Sequence, residues 1–410
     1  MTQRFWGRRL RRPRSTGRTD VPSVVVVGAG PAGLGAAAML RASGVSVTVL
    51  ERTDRLAAPW HGHYDAVRLQ SPKGMSNLPG MRYKRHASRW ITRDEFLEYL
   101  ADYRDRFDID IRFDTEVRRV TRCGDGWRIE TDRGDWHVPV VVVATGYSRI
   151  PKIPEWPGLA EYTGTVVHSS QFRNADGYRG TDVLVVGTGN SGGEIAALVA
   201  GGGARRTRIA VRTAPHIAPR TILGVPTLLG PVLVEPFPPK VGDLALGAAI
   251  RVVVGDLAKY GMPKPANGIC SQYAETGVTP IIDAGILAGL RTGAIEPVAH
   301  VVGFRGNEVL LADGTAVSPD LVIAATGYHT GLPEMLGDLD VLRSNGFPVA
   351  GGGTSLPQAP GLYFLGYAHP LSGNIRSVRR DAPRLAKAVT TYLSGRSAAI
   401  EETSWEPTTS

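Results

Sequence analysis

Cysteine is nearly absent: Cys123 and Cys270 are the only two in 410 residues. They stand far apart in sequence and fit neither a disulfide framework nor a zinc-ligand spacing. No C-x-x-C pair occurs, nor a slightly wider one, so a thiol relay of the disulfide-reductase kind is excluded. No stretch is apolar for long enough to cross a bilayer. His61 and His63 lie close together, but without further ligands they make no metal site. A catalytic triad and a paired-acid motif are also missing, which points away from hydrolysis.

Charge of one sign is scarce in the body of the chain. The formal net charge is +9, yet residues 1–20 hold Arg4, Arg8, Arg9, Arg11, Arg12, Arg14 and Arg18 against Asp20. That start is expected to be a disordered, solvated extension; contact with acidic lipid or nucleic acid is its alternative. The run 24–40 is broken by Gly28, Gly30, Pro31, Gly33 and Gly35, which suits a strand-to-helix turn and not a secretory leader. A cytoplasmic protein is expected.

The length predicts two domains. A strand over 23–28 is followed by a helix to about Ser43 and a second strand ending at Glu51. Residues 60–90 read as loop, with Pro72, Gly74, Pro79 and Gly80 as breakers. "TRDEFLEYLADYRDRF" has helical spacing of Phe96, Leu100, Tyr103 and Phe107, with Thr92 as N-cap. Three strands separated by "CGDG" and "DRGD" turns follow, the last being "VPVVVVATGY". The proline-rich 148–160 reads as a connection. A second unit then repeats the pattern from Thr181 and closes with "DLVIAATGY". Residues 374–394 are helical, with a restart expected at Pro383 behind Asp381.

Two glycine turns dominate the sequence. Gly28, Gly30 and Gly33 fit G-x-G-x-x-G between a strand and a helix, and Pro31 and Ala32 lie inside the motif. The first glycine makes the turn, the second admits a pyrophosphate, and the third lets helix and sheet pack. The phosphate then sits on free amides at the positive end of a helix. Glu51, eighteen residues on, would bind ribose hydroxyls and repel a 2′-phosphate; Arg52 follows it. Gly187, Gly189 and Gly192 repeat the geometry, with Asn190 and Ser191 as phosphate donors. At the next strand end stands Arg212, followed by Thr213, and an arginine fork matches a phosphate. One turn therefore suits FAD and the other NADPH. Hydride flow from nicotinamide to flavin follows, with oxygen, a quinone or a protein as the open alternatives for the final acceptor.

"YTGTVVHSSQF" narrows that choice. Tyr162, Gly164, His168 and Phe172 resemble the fingerprint of class B flavin-dependent monooxygenases, in the branch of the flavin-containing monooxygenases. "WHGHYDAVRLQSPKGMSNLPG", "VVVGDLAKYGMPKP" and "TPIIDAGILAGLRTGAI" resemble blocks of the YUCCA-type members. The likeness runs from about Val24 to about Leu393.

The resemblance implies an α/β fold of two nested Rossmann-like domains. These would be residues 21–165 with 329–400 around FAD, and 166–328 around NADPH, with a helical and loop insert at 214–280. It implies oxygenation of a small organic substrate with O2 through a flavin C4a-hydroperoxide, an α-keto acid such as indole-3-pyruvate or a nitrogen or sulfur centre being the target. Gln70 would lie over the flavin as the catalytic side chain and Trp60 beside it. Thr326 and Gly327, in the second "ATGY", and the helix start at Gly373 and Asn374 would also touch cofactor. His168 would serve as a linker group. The alternative is an NADPH-dependent flavin reductase feeding a quinone or protein; a scaffold without cofactor is disfavoured by two intact turns. Neither nucleic acid nor a transmembrane segment is expected, and homo-oligomers are allowed.

Overall fold

The computed structural model describes residues 22–404 apart from residue 338, with side chains as far as 396. The arginine-rich start lies outside the described residues. Two five-stranded parallel sheets organise the chain. In the first, the strand order is Leu362–Phe364, Val140–Val143, Val24–Val27, Val47–Leu50 and Ile111–Arg112. In the second it is Glu296–Ala299, Arg206–Val211, Asp182–Val186, Leu321–Ala324 and Thr165–His168. The central strands are continuous valine-rich runs because helices and loops cover both faces.

The repetition extends beyond the glycine turns. Each repeat starts on the central strand of its sheet, turns through glycines into a helix, and returns to the neighbouring strand. Each then builds a three-stranded antiparallel meander before the strand on the other side of the centre. The fifth strand breaks the repeat. Leu362–Phe364 joins the first sheet from far downstream, whereas Thr165–His168 joins the second from upstream. The crossing segments meet as an antiparallel pair, Ile150 opposite His329 and Pro151 opposite Tyr328.

Local expectations hold where backbone chemistry dictates them. Thr92 caps the helix Arg93–Arg106 in a full capping box with Glu95, and Phe96, Tyr99, Leu100 and Tyr103 are buried beneath it. Two expectations are corrected. The run through "VPVVVV" is not one strand: Trp136–Val138 closes the meander and Val140–Val143 enters the parallel sheet. Pro139, which lacks an N–H, falls at the break. The last helix does not restart at Pro383 but runs unbroken from Asn374 to Ser404. Ala382, Leu385, Ala386 and Val389 are all buried in the core that holds the helix Pro31–Ala42, and this packing offsets the proline's cost of about 3 kcal/mol.

Candidate active site

The two glycine turns match atom for atom. Gly28 has φ +102° and Gly187 has φ +119°, conformations that favour glycine. A Cβ on Gly33 would lie 1.9 Å from the Gly28 carbonyl oxygen, and one on Gly192 would lie 2.0 Å from that of Gly187. The third glycine in each turn is therefore fixed by helix-to-strand packing. Gly30 and Gly189 are different, since a Cβ there would meet nothing within 4 Å. Each is the N-cap of its helix and neither helix has a side-chain cap, so the first amides face the space that those two glycines leave open. Pro31 begins the first helix, and Ala32 lies against Gly366, where an added Cβ would come within 2.6 Å.

Register separates the two strand ends. Val27 pairs with Leu50 and Val186 with Ala210, so the counterpart of Glu51 is the buried Val211. Arg212 corresponds to Arg52, and both are exposed. The second site thus differs from the first by the loss of an acid, the arginine that follows being common to both. Glu51 is buried, and its Oε2 accepts from the Ala29 amide at 2.8 Å inside the glycine turn. Its Oε1 accepts from the Thr53 amide and hydroxyl at 3.1 and 2.9 Å. In the second site the tie is made without charge: Thr188 Oγ1 donates to the Thr213 carbonyl at 3.2 Å. Asn190 is partly committed, since its Oδ1 accepts from the Ile282 amide at 2.7 Å. The Ser191 hydroxyl makes no hydrogen bond within the described residues.

The segment from Tyr162 to Phe172 is a structural joint. His168 is buried, and its Nδ1 accepts from the Ser170 amide at 3.1 Å, which leaves Nε2 to donate to the Gly327 carbonyl at 3.0 Å. Burial pushes its pKa down, so the ring is neutral and fully engaged. The same carbonyl accepts from the Lys152 amide, and Thr326 Oγ1 donates to the Lys152 carbonyl. Tyr162 donates to the Pro319 carbonyl at 3.3 Å, and a Cβ on Gly164 would collide with the Tyr162 ring. Phe172 is fully buried between Tyr64 and Tyr178.

At the last helix, Gly373 has φ +97° and lies against Ser71 and Leu228, each within 3.8 Å of its Cβ position. This brings the Gln70 loop, the insert and the helix start together. Asn374 Nδ2 donates to the Gly366 carbonyl at 3.3 Å, while its buried Oδ1 has no partner. Gln70 is half-buried and makes no hydrogen bond within the described residues. Trp60 packs edge-on against Phe96, ring centres 4.5 Å apart, at the margin of the first core.

Comparison with known proteins decides what such a pair of turns belongs to. Residues 25–219 match the family model described as pyridine nucleotide-disulphide oxidoreductase. The chain is 33% identical to the indole-3-pyruvate monooxygenase YUCCA1 of Oryza sativa subsp. japonica over 381 residues, 90% of this chain and 92% of that one. It is 34% identical to the probable indole-3-pyruvate monooxygenase YUCCA9 of Arabidopsis thaliana, over 84% of this chain and 83% of the other. The chain belongs to the YUCCA-type flavin-dependent monooxygenases. Among solved structures it resembles a flavin-containing monooxygenase from Stenotrophomonas maltophilia, with TM-score 0.69 and 25% identity over 91% of this chain and 99% of that one.

In this YUCCA-type monooxygenase the structure adds a cluster that motif reading missed. Tyr64 donates to Glu194 Oε2 at 2.7 Å, and both residues are buried. Arg220 Nη2 lies 3.6 Å from Glu194 Oε1, and its guanidinium sits 5.8 Å from the centre of the Trp90 ring. Burial dominates both ionisations, raising the Glu194 carboxyl and the Tyr64 phenol above their ordinary ranges. The cluster joins the loop of the first half, the helix of the second glycine turn and the insert. Its one signal in the sequence is an acid two residues past Gly192, on the inward face of an apolar helix.

Proposed function

We propose that the first glycine turn holds FAD and the second NADPH, with residues 21–165 and 329–400 around the flavin and 166–328 around the nicotinamide. The open cradle at Gly30, the uncapped helix and the unpartnered Asn374 Oδ1 fit a flavin dinucleotide; Gly189 with Arg212 fits a 2′-phosphorylated one. The amides at the Pro31 helix start would hold the pyrophosphate, Glu51, which fixes Ala29, would take ribose hydroxyls, and the helix opening at Asn374 would offer its positive end to the flavin ring. A bound flavin supplies hydride acceptance from nicotinamide and activation of O2. The chain's part is to orient and to exclude water. Gln70 offers a free carboxamide at the meeting point of three segments. Tyr64 donates to Glu194 behind the second glycine turn and ties that turn's helix to the first half.

The substrate we propose is an aryl 2-oxo acid of the indole-3-pyruvate type. One oxygen atom enters the carbonyl carbon, the bond to the carboxylate breaks, and the products are the shortened acid, CO2 and water, with NADPH as the two-electron donor. What carries this reading is the 33% identity along 92% of an enzyme named for that substrate. Isotopically labelled O2 tests it. Purified protein with NADPH and indole-3-pyruvate is expected to give indole-3-acetic acid with one labelled oxygen. Label that appears only in sulfide or amine substrates would replace the 2-oxo acid reading. NADPH oxidation with no labelled product would return the reductase.

A further inference from the structure

Among the described residues fourteen large apolar side chains are exposed, and nine of them fall between Leu223 and Val253. The hairpin Thr221–Ile222 with Val225–Pro226 turns on Leu223 and Gly224, at φ +48° and +78°. Leu223 is 99% exposed. A leucine in the left-handed region is strained, and here the strain holds an aliphatic side chain wholly in solvent. Leu233 and Phe237 follow, 73% and 57% exposed. The helix Pro239–Val254 buries Gly242, Ile250 and Val254. Its opposite side carries Val241, Leu244 and Val252 at spacings of three and eight, with Ala245 and Ala248 between them, all exposed and on one stripe. An ordinary surface helix has charge there; this one is apolar on both faces.

The charges indicate what covers the patch. Both acids of the segment are taken up by partners: Glu235 pairs with Arg376 and Arg380 at 3.1 and 2.9 Å, and Asp243 accepts from the Cys270 amide and the Ser271 hydroxyl. The exposed charges left on the helix are Lys240 and Arg251, neither paired within the described residues. Residues 223–253 contain no Tyr or Trp, the anchors usual in protein interfaces. No helix among the described residues is long and apolar enough to cross a membrane.

We propose that this patch lies on an anionic bilayer, with Leu223, Leu233, Phe237, Leu244 and Val252 among the acyl chains and Lys240 and Arg251 at the headgroups. The buried Leu228, between hairpin and helix, lies within 3.8 Å of the Cβ position of Gly373, so the segment that carries the patch also reaches the candidate site.

Co-sedimentation of the full chain with vesicles tests this. Binding is expected to vesicles of phosphatidylcholine with phosphatidylglycerol, and weaker binding to phosphatidylcholine alone. Leu223→Ser with Leu244→Ser should lower partitioning about tenfold or more on both. Lys240→Glu with Arg251→Glu should weaken only the anionic case. Circular dichroism and vesicle-free NADPH oxidation should match wild type in both pairs. Protein left in the supernatant with both vesicle types would overturn the proposal. So would a vesicle-free dimer, seen by sedimentation velocity, that the serine pair dissociates; the patch would then belong to a second copy of this chain.

Discussion

Tyr64 and Glu194, 130 positions apart in sequence, share a buried hydrogen bond of 2.7 Å. The bond fastens a loop of the first half to the helix that follows the second glycine turn. Tyr64→Phe leaves a buried carboxylate oxygen without its donor and should cost about 1–3 kcal/mol of stability, read from urea unfolding. Since burial raises the Glu194 pKa, the folded state keeps a proton that the unfolded state has lost. The linkage sign follows: stability falls as pH rises from the ordinary glutamate range toward the raised value. Glu194→Gln should flatten that slope, in unfolding series compared across the same pH range.

Histidines tilt the profile the other way. Burial lowers the pKa of His63, His168, His216 and His369. Below the ordinary histidine range the unfolded chain takes up protons that the folded chain refuses, so stability drops as pH falls through it. His168→Asn should remove part of this acid-side loss. If His168 is the joint its bonds imply, the substitution leaves the midpoints of the pH–rate profile in place.

Arg212 is exposed and engages no partner among the described residues. Arg212→Ala should leave the melting temperature unchanged. It should lower kcat/KM for NADPH by about 10- to 100-fold, the loss of one charge-assisted phosphate contact, and change NADH far less. Equal losses for the two nucleotides would mean that the 2′-phosphate is read elsewhere.

Within the first turn, Gly30 and Gly33 should fail differently. A Cβ at Gly30 meets no protein atom within 4 Å, and Gly30→Val should give a folded protein that purifies colourless. Gly33→Ala places a methyl 1.9 Å from a backbone oxygen and should destabilise the fold itself. Circular dichroism beside the visible absorbance spectrum separates the two outcomes.

Pro383 is exposed in the middle of the last helix. Pro383→Ala restores an amide and relieves a clash with the carbonyl of Arg379. It should raise stability by up to about 3 kcal/mol, measured by thermal unfolding.

The glycine turns were legible in the sequence because backbone crowding leaves no other residue at Gly33 and Gly192, so a spacing of letters records a distance. The Thr92 cap was legible for a similar reason, the chemistry being confined to four neighbouring residues. Pro383 misled because helix propensity is local, whereas the packing that overrides it comes from the helix Pro31–Ala42 and is distant in sequence. Arg212 was placed opposite Glu51 by counting; only strand register showed that Val211 holds that position. The Tyr64 bond had only half a signature, the acid Glu194 on an apolar helix, because its partner lies 130 positions away. In the insert, apolar residues on both sides of Pro239–Val254 hid which face would be covered by the protein.

The laced crossing segments have a mechanical meaning. The chain passes from the first sheet to the second and back, and the two passages are bonded side by side through Ile150 and His329. Two polypeptides joined by one tether can swivel in any direction. Joined by two tethers fastened together, with the His168 bond to Gly327 and the Thr326 bond to Lys152 at their base, the two halves share a seam and not a single strand of linker.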